Sequence, residues 1–163
     1  MQISKYLKES SILLDYQLDT NEEEENQTLK KVREVIFKQI STCLETVGKI
    51  NNTTKLYNEF LEREKKDSCC IGDHIALPHL RTLQCKELLI SVITSKQGIK
   101  FNAFDDEPVK IFFSFVAPRY DDNLYKTLYK NISRIFQDPY TIDTLLSFEQ
   151  PGELIRYLKK EFS

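Results

Sequence analysis

The two histidines of the chain, His74 and His79, fall within one stretch, Ile71-Gly72-Asp73-His74-Ile75-Ala76-Leu77-Pro78-His79. Histidine has an unperturbed pKa near neutrality, so a neutral ring nitrogen is available as nucleophile, base or metal ligand. Pro78 fixes its own φ and biases Leu77 away from the α region, which predicts a stiff, extended approach to His79. Gly72 permits a tight turn or a close backbone approach, and Ile75, Ala76 and Leu77 alternate as in a short strand. The odd separation of the histidines would put their rings on opposite faces of an unbroken strand, which weakens a shared metal ion. Adjacent Cys69 and Cys70, with Cys85 further on, fit none of the usual zinc-ligand spacings, so neither metal nor organic cofactor is expected. On residue type alone, the plainer reading of His79 is a loop or edge histidine bonded to a backbone carbonyl, and that of His74 a surface residue without a role.

The surrounding elements must position this stretch. Ile12 to Tyr16 reads as a first short strand, followed by the acidic run Glu22 to Glu25, a solvated loop or first helical turn. From Asn26 to Val47 the apolar positions Leu29, Val32, Ile36, Ile40, Leu44 and Val47 step by three or four, which predicts an amphipathic helix stopped at Gly48. A second helix is predicted from about Thr54 to Lys66, capped by Thr53 or Thr54, and leads straight to the histidine stretch. Leu88 to Ile93 and Val109 to Val116 are nearly continuous apolar runs rich in β-branched and aromatic residues, which predicts strands covered on both faces. Gly98 and the stretch Asn102 to Pro108 suggest a turn and a loop between them. Beyond Pro118, Leu124, Leu128, Ile132 and Ile135 keep one helical face, and shorter helices fit Tyr140 to Phe148 and Gly152 to Phe162. Helices before, between and after buried strands imply a three-layer α/β domain, with a central mixed β-sheet flanked by helices on both faces.

Composition narrows the function classes. At 163 residues the chain fits a single domain, 1–163. Hydrophobic residues make up 40% and charged residues 29%, and the apolar runs are too short to span a bilayer, so no membrane insertion is expected. The N-terminus lacks the build of a signal peptide, which suggests a cytoplasmic protein. With a net charge of −2 and no basic stripe, nucleic acid is not an expected partner. Free thiols are expected for Cys43, Cys69, Cys70 and Cys85, which do not form a disulfide framework.

Glu64, Ile71, Gly72, Ile75, Ala76, Leu77, Pro78 and His79 fall in one register: an acidic residue, six arbitrary residues, an aliphatic, Gly, two arbitrary residues, then aliphatic-Ala-aliphatic-Pro-His. In this the chain resembles the enzyme IIA proteins of the bacterial phosphotransferase system, in the fructose, mannitol and nitrogen-regulatory branch. The similarity extends to the opening Ile3 to Leu7, the long first helix, the Leu61 to Lys65 element and the Val109 to Pro118 strand, in the family's order. The resemblance implies a phosphocarrier whose His79 accepts a phosphoryl group from the histidine phosphocarrier protein and passes it to a IIB domain. It also implies that Arg63, sixteen residues before His79, is the arginine that clamps the phosphoryl group. A guanidinium fork suits phosphate oxygens, although a solvated helix-end arginine would look the same in sequence.

The departures carry information too. The family usually has a second histidine before a Leu at the start of the helix after the Pro118 strand, and this chain has Asn123 before Leu124. Asn123 can donate to a phosphate oxygen or cap the helix, but it cannot carry a positive charge. His74 stands where the family has Gly, and Leu80 where it has a small residue. His74 is accordingly a surface replacement, a substitute for the missing second histidine or a partner contact. These differences support an alternative reading, a regulatory protein-binding module with weakened or lost transfer that acts on a kinase or transporter.

Overall fold

The computed structural model describes residues 1–18, 29–101 and 103–163. The acidic run Glu22 to Glu25 and the predicted helix start at Asn26 lie outside these residues.

The sheet is assembled around β6 (Val109–Pro118), buried along almost its whole length as its continuous apolar sequence requires. β5 (Leu89–Ile99) pairs antiparallel with it, from Leu89 opposite Val116 to Ile99 opposite Val109. β1 (Ile12–Leu13) adds in parallel to the outer side of β5. On the other side of β6 run β3 (Ile75–Ala76) and β4 (His79–Thr82), both parallel to it, and β2 (Cys70–Gly72) closes that edge antiparallel to β3. The sheet is mixed, and the order across it is β1-β5-β6-β3-β2.

Gly98 is not the expected turn between two strands. It lies inside β5 at φ +84°, where the register with β6 shifts, and a Cβ there would come within 2.7 Å of Pro108. The strand therefore runs several residues beyond the apolar segment that marks it in sequence, kinked at a residue only glycine fits easily.

α1 (Leu29–Val47) and α2 (Thr53–Lys66) cover one face. Phe37 of α1 and Phe60 of α2 stack at 5.5 Å and join Phe112, Val116, Leu89 and Ile93 of the sheet. The cap of α2 is Asn52, one residue before the predicted threonines, and its side chain accepts from the backbone N–H of Lys55 at 3.0 Å. α3 (Asp122–Ile135), α4 (Thr141–Ser147) and α5 (Pro151–Glu161) cover the opposite face, with Leu128, Ile132, Leu145 and Leu158 against Phe113 and Phe115. The strand period of two sends alternate residues of β5 and β6 to these two cores, which gives the three-layer α/β architecture expected from sequence.

Candidate functional site

β3 and β4 are two halves of one strand. Ile75 and Ala76 pair with Ile111 and Phe112, and His79 to Thr82 resume the pairing four residues on, with Phe115 to Pro118. The break is Leu77-Pro78. Pro78 has no N–H to give the ladder, though its carbonyl accepts from Phe115 N–H at 3.1 Å. Leu77 turns its N–H the other way, to the Cys69 carbonyl at 2.8 Å. That leaves the Leu77 carbonyl to accept from the His79 imidazole, with Nδ1 at 2.5 Å.

This bond sets the chemistry of the ring. A carbonyl only accepts, so Nδ1 carries the proton and the neutral imidazole keeps its lone pair on Nε2. Burial holds the His79 pKa below its ordinary 6.5. The Arg63 charge pushes in the same direction, against the Leu77 carbonyl, which favours protonation. At neutral pH the ring is therefore an uncharged nucleophile with a fixed tautomer. Its orientation is set by Phe115, which stacks beneath it at 5.2 Å and 15°, and by Tyr129 edge-on at 5.7 Å and Tyr125 tilted at 6.0 Å.

A second layer of bonds fixes the Leu77 peptide. Glu64, buried near the end of α2, accepts from Cys69 N–H at 2.9 Å and from the Ser68 hydroxyl at 3.3 Å. The Cys69 carbonyl holds Leu77, and Leu77 holds His79. An acidic side chain thus anchors the backbone at Cys69 and, through it, at Leu77, the residue whose carbonyl holds the imidazole. At the other end of β4, the Thr82 hydroxyl donates to Glu59 of α2 at 2.6 Å.

Arg63 and His79 line the same cleft, together with Asp67, Ser68 and Pro78. The Arg63 side chain is 44% exposed and only loosely tied, with Nη1 3.4 Å from the Asp67 carbonyl and Nη2 3.9 Å from its carboxylate. A guanidinium so placed can turn to an anion on His79.

The other two candidates lie in different parts of the fold. His74 sits with Asp73 on the turn between β2 and β3, both at positive φ, and its Nδ1 is 2.8 Å from the Pro108 carbonyl. Its Nε2 is 4.0 Å from Glu107. Along β6 the two histidines lie about five residues apart, roughly 16 Å at strand rise, so His74 does not replace a second imidazole beside His79. Asn123 is not the helix cap either: that position falls to Asp121, and Asn123 lies inside the first turn of α3 with its carbonyl accepting from Thr127.

Sequence reasoning missed the aromatic walls Phe115, Tyr125 and Tyr129, and it missed Arg81. Arg81 lies two residues after His79 on β4, with its Cζ 4.5 Å from the Tyr125 ring centroid and Nη1 paired with the Asp122 carboxylate. The Arg-aromatic spacing has no local signal, because strand and helix bring these residues together from 44 positions apart, Arg81 to Tyr125. Cys43, Cys69, Cys70 and Cys85 are free thiols. Among the described residues no cluster of His, Cys, Asp and Glu is arranged to hold a metal ion, and no helix is long and apolar enough to cross a membrane.

Comparison with known proteins places this geometry in a family. Residues 7–161 match the family model described as phosphoenolpyruvate-dependent sugar phosphotransferase system, EIIA 2. The chain is 26% identical over 125 residues to the PTS system fructose-specific EIIABC component of Bacillus subtilis (strain 168), covering 77% of this chain and 20% of that protein. It is 30% identical over 71 residues to the PTS system fructose-specific EIIA component of Haloferax volcanii, covering 44% and 46%. It thus spans less than half the length of either relative. Among solved structures, nitrogen regulatory protein IIA-Ntr from Neisseria meningitidis superposes with a TM-score of 0.74 at 21% identity, covering 96% of this chain and 98% of that one. The IIA mannitol protein of Escherichia coli, solved as a complex with phosphorylated enzyme IIB, superposes at 0.70 and 16% identity over 94% and 97%. The fold is shared with these structures, and the matched family model, which spans nearly the whole sequence, assigns the chain to the enzyme IIA type 2 family of the phosphoenolpyruvate-dependent sugar phosphotransferase system.

Proposed function

We propose that the chain is a phosphocarrier that takes a phosphoryl group from the histidine phosphocarrier protein onto His79 Nε2 and delivers it to a IIB domain. The observation that carries this reading is the Nδ1–H bond to Leu77, which leaves Nε2 as the one nucleophilic ring nitrogen beside Arg63. In the step, the P–N bond of the donor's phosphohistidine breaks and an Nε2–P bond forms. The donor imidazole leaves with the bonding pair, and the Nδ1 proton stays on His79. The new positive charge on the ring faces the Leu77 carbonyl, and Arg63 meets the charge that builds on the equatorial oxygens in a loose transition state. The acceptor IIB domain is argued by analogy with the mannitol IIA protein, whose structure was solved with its phosphorylated IIB partner.

A second reading keeps acceptance on His79 and replaces delivery by regulation, with the phosphorylated and unphosphorylated forms binding a kinase or transporter differently. Asn123 favours it, because a neutral amide stands in the first turn of α3 where an imidazole could share a proton.

Incubation with phosphoenolpyruvate, enzyme I and the histidine phosphocarrier protein is expected to add one phosphoryl group, acid-labile and base-stable, that is absent in His79→Ala. An unmodified wild-type mass would overturn both readings. Discharge by an added IIB domain supports delivery, and a phosphorylated chain that no IIB domain discharges supports regulation.

A further inference from the structure

His79 and Arg81 occupy alternate positions of β4, so their side chains leave the same face of the strand, while Leu80 and Thr82 between and beyond them are buried on the other. Tyr125 stands over both: its ring lies 6.0 Å from the His79 ring and 4.5 Å from the Arg81 guanidinium carbon. Arg81 is otherwise held by Asp122, in the first turn of α3. That carboxylate is 51% exposed and the arginine 35%, so water screens the pair and its hold is weak. Arg63 approaches from α2, whereas Arg81 approaches from the strand and α3. A phosphoryl group brings close to two negative charges and three acceptor oxygens, more than one guanidinium matches. Asn123 offers no charge to complete the set.

We propose that Arg81 is a second phosphate-binding cation of this site, kept in place by Asp122 and Tyr125 and transferred to the phosphoryl group once His79 is modified. The inference rests on His79 being the phosphoryl acceptor. Asp122 competes with the phosphoryl group for the same fork of N–H donors, so the carboxylate restrains acceptance and receives the arginine back on discharge.

Phosphoramidate provides a test that needs no partner protein. Its P–N bond breaks, the Nε2–P bond forms, and ammonia leaves with the bonding pair. We expect Arg81→Gln to slow formation of the phosphohistidine and shorten its lifetime by about tenfold or more, the worth of one charge-assisted hydrogen bond. Arg81→Lys should recover part of that loss. Asp122→Asn, a surface change of the opposite sign, should accelerate formation, and the Arg81 Nε–H resonance of wild type should shift on phosphorylation. Wild-type rates and lifetimes in a folded Arg81→Gln, or an Arg81 resonance that does not move, would overturn the proposal. If phosphoramidate modifies His79 in an Arg81-dependent way but the carrier-protein mixture does not, the phosphocarrier reading fails and Arg81 stands. If both donors act and Arg81→Gln is indifferent, the reverse holds. If neither donor modifies His79, both are lost.

Discussion

At the scale of single residues, the His79 ring is defined by what surrounds it more than by its own chemistry. Burial lowers its pKa in the fold below 6.5, so as pH falls the unfolded chain takes up this proton first. The stability contributed by the neutral imidazole is therefore complete above about 6.5 and is lost progressively below it. An NMR titration of the His79 ring is expected to give a midpoint below 6.5, and acceptance should keep its rate into mildly acid solution. A midpoint above 6.5 would mean that the carbonyl bond, not burial, dominates. Arg63→Gln should cut acceptance by roughly tenfold to a hundredfold with little change in melting temperature, since the side chain is half exposed and makes only long contacts. His79 and Arg63 stood out through the resemblance to the enzyme IIA register, and the fold brings both to one cleft. Arg81, Tyr125 and Phe115 did not stand out, because only strand pairing and helix packing bring them to the ring.

The elements explain why a histidine is presented at this point. A parallel strand interrupted by Leu77-Pro78 keeps its register with β6 on both sides of the gap, and the interruption frees one carbonyl for the imidazole. Glu64 anchors the residue that offers this carbonyl, through Cys69 and the Leu77 N–H. Glu64→Gln replaces a charge-assisted bond at a buried position, and we expect about 1–3 kcal/mol of destabilisation in chemical denaturation together with slower acceptance on His79. Glu64→Asp, too short to reach Cys69, should behave similarly. Gly72 precedes the same stretch at φ +87°, with Phe104 2.9 Å from the place a Cβ would take. Gly72→Ala should cost about 1–3 kcal/mol, read as a lower denaturation midpoint. The helices and the two long strands were legible from apolar periodicity and continuous runs. The halves β3 and β4 were not resolved as one strand, because a two-residue segment carries too little pattern, and Gly98 reads as a turn because its role in a kinked strand appears only once β6 is beside it.

For the whole molecule, the site lies at a seam. Phe115, beneath the imidazole, belongs to the core under α3, α4 and α5, whereas Phe37 and Phe60, which line the cleft, belong to the core under α1 and α2. Phe60→Ala should cost about 3–5 kcal/mol in global stability, as for other large core truncations. Because Phe60 also walls the cleft, its loss should broaden the His79 ring signals in conditions where the protein remains folded. Phe162→Ala, equally buried in the core under α3, α4 and α5 but not lining the cleft, should cost a similar amount and leave those signals sharp. The layered architecture was legible from the order of helices and strands, but which core each aromatic joins depends on strand register, which one sequence does not display.

The bond from Nδ1 to Leu77 has a last consequence, for kinetics. With one ring nitrogen committed to the backbone and Phe115 closing one face of the ring, the phosphoryl group of the proposed carrier has to enter and leave at the same atom by the same opening. Donor and acceptor then cannot be seated together. Turnover should follow a ping-pong pattern, with parallel double-reciprocal plots, and an excess of either unphosphorylated partner should inhibit by occupying the doorway the other needs.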